Sequence, residues 1–243
     1  MDKILVGTIF SNIKDYAIRP WFNNIRKFRY PQFDFCAVDN SKDPKYHRRI
    51  YHFFDNKKKE SNIDKLTVLH TPRTHDKSEV FMADSANTLR DYFLQGGYTH
   101  LLYNECDVFP PDDILQILLA HRREIIGALF FTGAKKTSYP MLSQINYYWD
   151  KVVAPMKGYL ETFYDIGEIH EPKEILSAGL GCVLIHRSII EQFPFKADYS
   201  LRFHHDTLFT KDLWEAGIPN YYIPIICRHE NVTWDIQRKM VGR

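Results

Sequence analysis

The chain has 243 residues, 44% hydrophobic and 26% charged, with a net charge of +2. That suits one large α/β domain, or at most two small ones, in an ordinary globular chain. The near-zero charge supplies no global field for nucleic acid, and no stretch approaches the ~18 apolar residues of a membrane span.

Aromatics are abundant, with 15 Tyr and 17 Phe, enough for a dense core and for stacking on sugar rings or bases. Four cysteines, at 36, 106, 182 and 227, lack the spacing of a zinc knuckle or a redox Cys-x-x-Cys. Each sits in or beside an apolar run, as buried free thiols do. Together with an N-terminus that runs straight into a strand, this predicts a reducing, cytoplasmic setting.

In chain order, KILVGTI at 3–9 reads as a short buried strand running into a loop at Gly7-Thr8. Helical spacing follows over 12–29, with Pro20 expected to restart or kink the helix. FDFCAVDNS at 33–41 is a second strand, ended by the turn formers Asp39, Asn40 and Ser41. A polar helix is predicted over 43–59, its basic end at 57–59 solvated, and a third strand, KLTVLHTP at 65–72, stops at Pro72. A helical apolar stripe over 79–97 closes at Gly96-Gly97. THLLYNECD at 99–107 is the fourth strand, 112–121 a helix and EIIGALFF at 124–131 the fifth strand.

Short apolar strands alternating with helices predict a mostly parallel sheet covered on both faces, with ligands beyond the carboxyl ends of the strands. The second half is less regular. NYYWDKVV at 146–153 is a candidate strand in a sheet of mixed direction, and Gly179 and Gly181 precede an apolar strand and a short helix. A helix is expected over 204–218, closed by Gly217, and a strand over 220–231 that delivers Arg228, His229 and Glu230. No linker or repeat is evident, so a single domain over 1–243 is expected.

The segment LLYNECDVFPPDDIL at 101–115 carries the chemistry. Glu105 and Asp107 alternate across an ideal strand but converge at a turn. Carboxylates at a strand end suit a hard cation that bridges to phosphate oxygens, Mn²⁺ or Mg²⁺; they also serve simply as turn formers. Asp206 at a helix start and His229 after a strand extend the pair to a carboxylate–imidazole set. One acid is then spare to take a proton from an attacking hydroxyl.

The order of these motifs resembles that of the GT-A-fold glycosyltransferases, in particular the family 2-like group. It has an acid-any-acid triplet ending a strand and followed by prolines (LLYNECDVFPP). A Gly-rich strand entry with a basic residue follows (SAGLGCVLIHR, 177–187). Then come an acidic helix start and an Ala-Gly helix end (HHDTLFTKDLWEAG, 204–217), and last a strand ending in His (IICRHE, 226–230). The likeness covers most of the chain. Glu105 stands where the pattern has its first Asp, and His205 where a Glu commonly precedes Asp206.

The resemblance implies a GT-A-like, Rossmann-type sheet with a nucleotide-sugar-binding half at 1–131 and an acceptor-binding half of mixed strand direction at 132–243. It implies that Asp107 binds the metal directly and that His229 completes the coordination. Glu105 then touches the metal, the ribose or a metal-bound water. Thr8, Ile9, Phe10 and Asp39 lie around the nucleobase and ribose, and Arg73 meets base or phosphate. Asp206 is the general base of an inverting transfer, and Ser177, Ala178 and Gly179 wall the acceptor side. The implied donor is a nucleoside-diphosphate sugar, with UDP-sugar first. The acceptor stays open among a glycan, a lipid-linked sugar at the membrane face, a protein and a modified nucleobase, as does the oligomeric state. A nucleotidyltransferase and a non-catalytic nucleotide- or sugar-binding protein are the competing readings.

Overall fold

The computed structural model describes residues 2–134, 137–140, 172–175, 179–198 and 204–230. The candidate strand at 146–153, its aromatic cluster Tyr147, Tyr148 and Trp149, and the acceptor-wall residues Ser177 and Ala178 lie outside them.

Seven-residue apolar runs form the first two strands, β1 (Ile4–Phe10) and β2 (Phe33–Asp39), both wholly buried. They are followed by β3 (Ile63–His70), β4 (His100–Asn104), the two-residue β5 (Val108–Phe109), β6 (Ile125–Ala134) and β7 (Thr137–Pro140). The later strands are β8 (Lys173–Ile175), β9 (Cys182–His186) and β10 (Asn220–His229). Helices α1 (Asp15–Ile25), α2 (Tyr46–Lys58), α3 (Ser78–Gln95), α4 (Ile114–Ala120), α5 (Arg187–Gln192) and α6 (His205–Glu215) connect them.

Eight strands pair in the order β3-β2-β1-β4-β9-β6-β10-β5. The first four are mutually parallel, β9 runs against both β4 and β6, and β10 is parallel to β6. The carboxyl ends of β1, β2, β3, β4, β6 and β10 therefore share one edge, where ligands of such sheets bind.

Alternate residues along the strands feed two cores. On one face Ile4, Val6 and Phe10 of β1 join Trp21 and Phe22 of α1, Ile50 and Phe54 of α2, and Leu115 of α4. On the other, Leu5 and Ile9 meet Leu89 and Phe93 of α3, Ile189 of α5, and Phe209 of α6. Helices thus cover both faces, as the continuous apolar strands required.

Three local outcomes differ from the sequence expectation. Gly7 lies inside β1 rather than at its end: a Cβ there would come within 2.7 Å of Leu89, so the residue is small to let α3 close on the sheet. α1 continues through Pro20, after a single 3-10 turn at Asn12–Lys14. The fourth strand stops at Asn104, which leaves Glu105 and Asp107 in the turn beyond it. As expected, Gly97 (φ 66°) and Gly217 (φ 69°) end α3 and α6 in the left-handed region.

Candidate active site

The acidic turn is built by hydrogen bonds before any ligand enters. Val108 N donates to Glu105 O at 3.0 Å, closing a four-residue turn that brings both acids to the same rim. Asn104, fully buried, is its anchor. Its Oδ1 accepts from Trp21 Nε1 at 2.9 Å, and its Nδ2 donates to Gly181 O at 2.7 Å and Val108 O at 3.2 Å. Glu105 N also donates to Gly181 O, at 2.9 Å. The rim of β4 is thereby fastened to α1, to β5 and to the Gly-rich entry of β9.

β5 then carries the turn across to β10: Val108 pairs with His229 and Phe109 with Arg228, and Glu230 N donates to Asp107 O at 2.7 Å. His229 Nε2 consequently lies 3.4 Å from Asp107 Oδ2, and its ring meets the ring of Phe130 edge-on at 5.6 Å. One ligand atom each from Glu105, Asp107 and His229 lies within 4.8 Å of the others. Two carboxylates and an imidazole at that spacing fit a hard or borderline divalent cation such as Mn²⁺ or Mg²⁺.

Sequence reasoning missed two residues of this corner, Lys14 and Tyr16. Lys14 Nζ lies 2.8 Å from Asp107 Oδ1 and 3.6 Å from Glu105 Oε2, and the Tyr16 hydroxyl is 3.5 Å from Asp107 Oδ2. Burial disfavours the ammonium, but the charges of Glu105 and Asp107 outweigh it and raise the Lys14 pKa. Burial and the Asp107 charge push the Tyr16 phenol up to about 12. Burial alone would push Asp107 up, yet the His229 hydrogen bond and the Lys14 charge hold it below the ordinary carboxylate range. Asp107 is therefore an anion at neutral pH. A lysine just after a strand carries no signal of its own; only the fold, bridging 93 positions, makes it a partner.

On the opposite side of the rim, α6 is pinned to β4. The buried Tyr103 hydroxyl and His205 Nε2 are 2.8 Å apart, and burial pushes the His205 pKa down to about 4. Asp206 follows in the first turn of α6, its Oδ1 accepting from Thr207 N at 2.7 Å, and burial raises its pKa. Tyr222 of β10 donates to Gly179 O at 2.9 Å. Burial first raises the pKa of both the Tyr103 and Tyr222 phenols; the charges of Glu105 and Asp206 add to it at Tyr103, and Cys182, then Asp206 and Glu105, at Tyr222. Tyr103 thus meets the start of α6 through His205, and Tyr222 meets the Gly-rich entry of β9 through Gly179.

The remaining candidates lie along β1–β3. Thr8, Ile9 and Phe10 are buried strand residues, and Phe10 packs on Tyr46 at 6.0 Å between ring centroids. Asn40 N donates to Phe10 O at 2.9 Å, and Asn12 N donates to Ser41 Oγ at 2.8 Å, tying the ends of β1 and β2 together. Asp39 is fully buried and engaged by Ser41 and His70. Arg73 folds back, donating from Nε to Asn40 O while its guanidinium lies 4.0 Å from the centre of the Phe81 ring. All four cysteines are free and buried. Among the described residues, no helix is long and apolar enough to cross a membrane.

A mixed sheet in this order, with an acidic turn after its fourth strand, defines a GT-A-like glycosyltransferase fold, and solved structures bear that out. The chain is similar to S. aureus TarS 1-349 in complex with UDP, at 14% identity and a TM-score of 0.55, over 93% of this chain and 57% of that one. It is similar to TarS 1-349 in complex with UDP-GlcNAc, at 14% identity and a TM-score of 0.53, over 94% of this chain and 60% of that one. The mannosyltransferase PcManGT from Pyrobaculum calidifontis, in complex with GDP-Man and Mn²⁺, matches at 13% identity and a TM-score of 0.57, over 93% of this chain and 56% of that one. This chain thus spans less than two thirds of each of these proteins. No family model and no curated protein matches the sequence.

Proposed function

We propose that the protein is a metal-dependent glycosyltransferase, a single catalytic domain moving a sugar from a nucleoside-diphosphate sugar to an acceptor hydroxyl with inversion. The observation that carries this reading is the approach of Asp107 to His229 at the carboxyl edge of the sheet, with Glu105 and Lys14 beside them. The nucleotide sugars held by TarS and PcManGT support the donor class, and the Mn²⁺ of PcManGT supports the metal. Uridine is the first base to test and guanosine the second.

Asp107, His229 and Glu105 would hold Mn²⁺ or Mg²⁺, which supplies positive charge against that building on the departing diphosphate. Lys14 adds an ammonium at the same place. Asp39, Arg73 and the chain after Phe10 form the nucleoside side, while Gly179, with Ser177 and Ala178, forms the acceptor side. Asp206 accepts the proton of the acceptor hydroxyl as its oxygen bonds to the anomeric carbon. The bond from that carbon to the diphosphate oxygen breaks in the same step, and its electron pair leaves with the diphosphate. A carboxyl pKa raised by burial makes Asp206 a stronger base than an exposed aspartate. Work on a cytoplasmic acceptor, including a lipid-linked sugar reached from the membrane surface, is consistent with this architecture.

The test is release of nucleoside diphosphate from a panel of UDP- and GDP-sugars, with Mn²⁺ or with chelator. Metal-dependent release from one donor is expected. Donor binding without turnover under every acceptor condition would make the chain a binding protein. Incorporation of a nucleotide would make it a nucleotidyltransferase.

A further inference from the structure

A second group of metal-ligating side chains lies at the other end of the same edge. Parallel pairing sets Asp39, the last residue of β2, opposite His70, the last residue of β3. The Asp39 carboxylate is locked: Oδ1 accepts from Ser41 N at 3.0 Å and Ser41 Oγ at 2.6 Å, which leaves Oδ2 facing His70 Nδ1 at 3.0 Å. Asp39 is fully buried, and among the described residues no lysine or arginine pairs with it. Its counter-group is the His70 imidazole, which as a neutral ring can share a metal ion with the carboxylate instead of donating to it.

The first turn of α2 brings in His47, whose ring stacks on that of His70 with centroids 5.1 Å apart. His47 Nδ1 is buried and, among the described residues, has no hydrogen-bond partner. One nitrogen from each ring and one oxygen of Asp39 lie within 4.8 Å of one another.

We infer that Asp39, His47 and His70 form a second metal site, selective for a nitrogen-preferring transition ion, Zn²⁺ above all. Two imidazoles and one carboxylate are three of the four ligands of a tetrahedral zinc, water being the fourth. The Glu105–Asp107–His229 corner offers mainly oxygen and suits harder ions, so the two sites sort cations by ligand type. The second site gathers the ends of β2 and β3 and the start of α2, so its metal ties three elements together and strengthens the fold. It does not depend on the glycosyltransferase reading, but the Asp39 carboxylate cannot ligate zinc and hold a ribose at once, so a loaded second site leaves Arg73 and the chain after Phe10 to form the nucleoside side.

The experiment titrates the full-length, metal-free chain with Zn²⁺ by calorimetry and with Co²⁺ by visible absorption, in native protein and in Asp107→Asn, His47→Ala and His70→Ala. Circular dichroism of each metal-free variant checks folding. His47, half-buried on a helix, keeps the test valid should His70→Ala misfold. Asp107→Asn is expected to retain one zinc and the d–d band of four-coordinate cobalt. Folded His47→Ala and His70→Ala lose that band and bind zinc at this site at least about tenfold more weakly. An Asp107→Asn chain that binds neither ion, or a His47→Ala chain with unchanged zinc affinity and cobalt spectrum, overturns the proposal.

Discussion

Lys14 Nζ sits 2.8 Å from Asp107 Oδ1, on the carboxylate that also faces His229 from 3.4 Å on its other oxygen. A fixed monovalent cation therefore competes with any divalent ion for the same anion. Replacing Lys14 with Met removes the competitor and leaves the acids to the metal. Mn²⁺ affinity should rise by about tenfold, equivalent to ~1.4 kcal/mol. Donor binding in the presence of chelator should weaken at the same time. Calorimetry with Mn²⁺ and with UDP checks both; unchanged Mn²⁺ affinity would mean that Lys14 moves aside without cost.

Asp206→Asn keeps the size of the side chain and removes its basicity. Transfer should fall by about 10²–10⁴-fold, the usual contribution of a positioned general base. Affinity for donor and metal should stay within about twofold, because uniform binding is untouched. Single-turnover assays beside a donor titration separate the two effects, and full activity in this variant would remove Asp206 from the mechanism.

His205 gives the fold an acid sensitivity. Its pKa is lowered to about 4 by burial, against an unfolded value of about 6.5. Between those values the unfolded chain binds the extra proton and the folded chain does not, so stability is full above pH ~6.5 and declines as pH falls toward ~4. The loss is on the order of 3 kcal/mol at its end. Urea unfolding of native protein and His205→Gln across that range checks it: the variant, without a titrating ring beside Tyr103, should show a shallower acid limb.

Asn104→Leu should be the most damaging single change at the rim. It leaves the Trp21 indole N–H without its buried acceptor and removes a donor from Val108 O and from Gly181 O, the latter keeping Glu105 N. With unsatisfied buried groups costing ~1–3 kcal/mol each, a loss on the order of 3 kcal/mol is expected. In a chain of this size that lowers Tm by roughly 6–12 °C. Scanning calorimetry measures it, and Mn²⁺ affinity should drop in parallel as the acidic turn loosens.

The parallel half of the fold was legible because β1, β2 and β4 are apolar throughout and separated by helical stripes, a pattern that arises only when both faces are covered. The pairing of Asp107 with His229 followed from the resemblance, and its physical route, the two-residue β5, was too short to show any periodicity. Hydrophobic pattern does not encode strand direction, so nothing marked β9 as the reversed strand between β4 and β6. Lys14, Tyr16, His47 and His70 stayed hidden for a different reason. Each acquires a role only through a partner far along the chain, and a lone lysine or histidine beside a strand end looks the same whether or not it has one.

The corner proposed to hold the cation is assembled from pieces very distant in sequence: Asn104 reaches Gly181 across 77 positions, and among the described residues β5 pairs with β10 alone. Loop closure over such spans comes late in folding. A nascent chain that has already produced β1 to β4 therefore carries its acids without their imidazole. On the proposed function, the ability to hold an ion would switch on only when β10 docks, which would make ion binding a direct reporter of that late folding step.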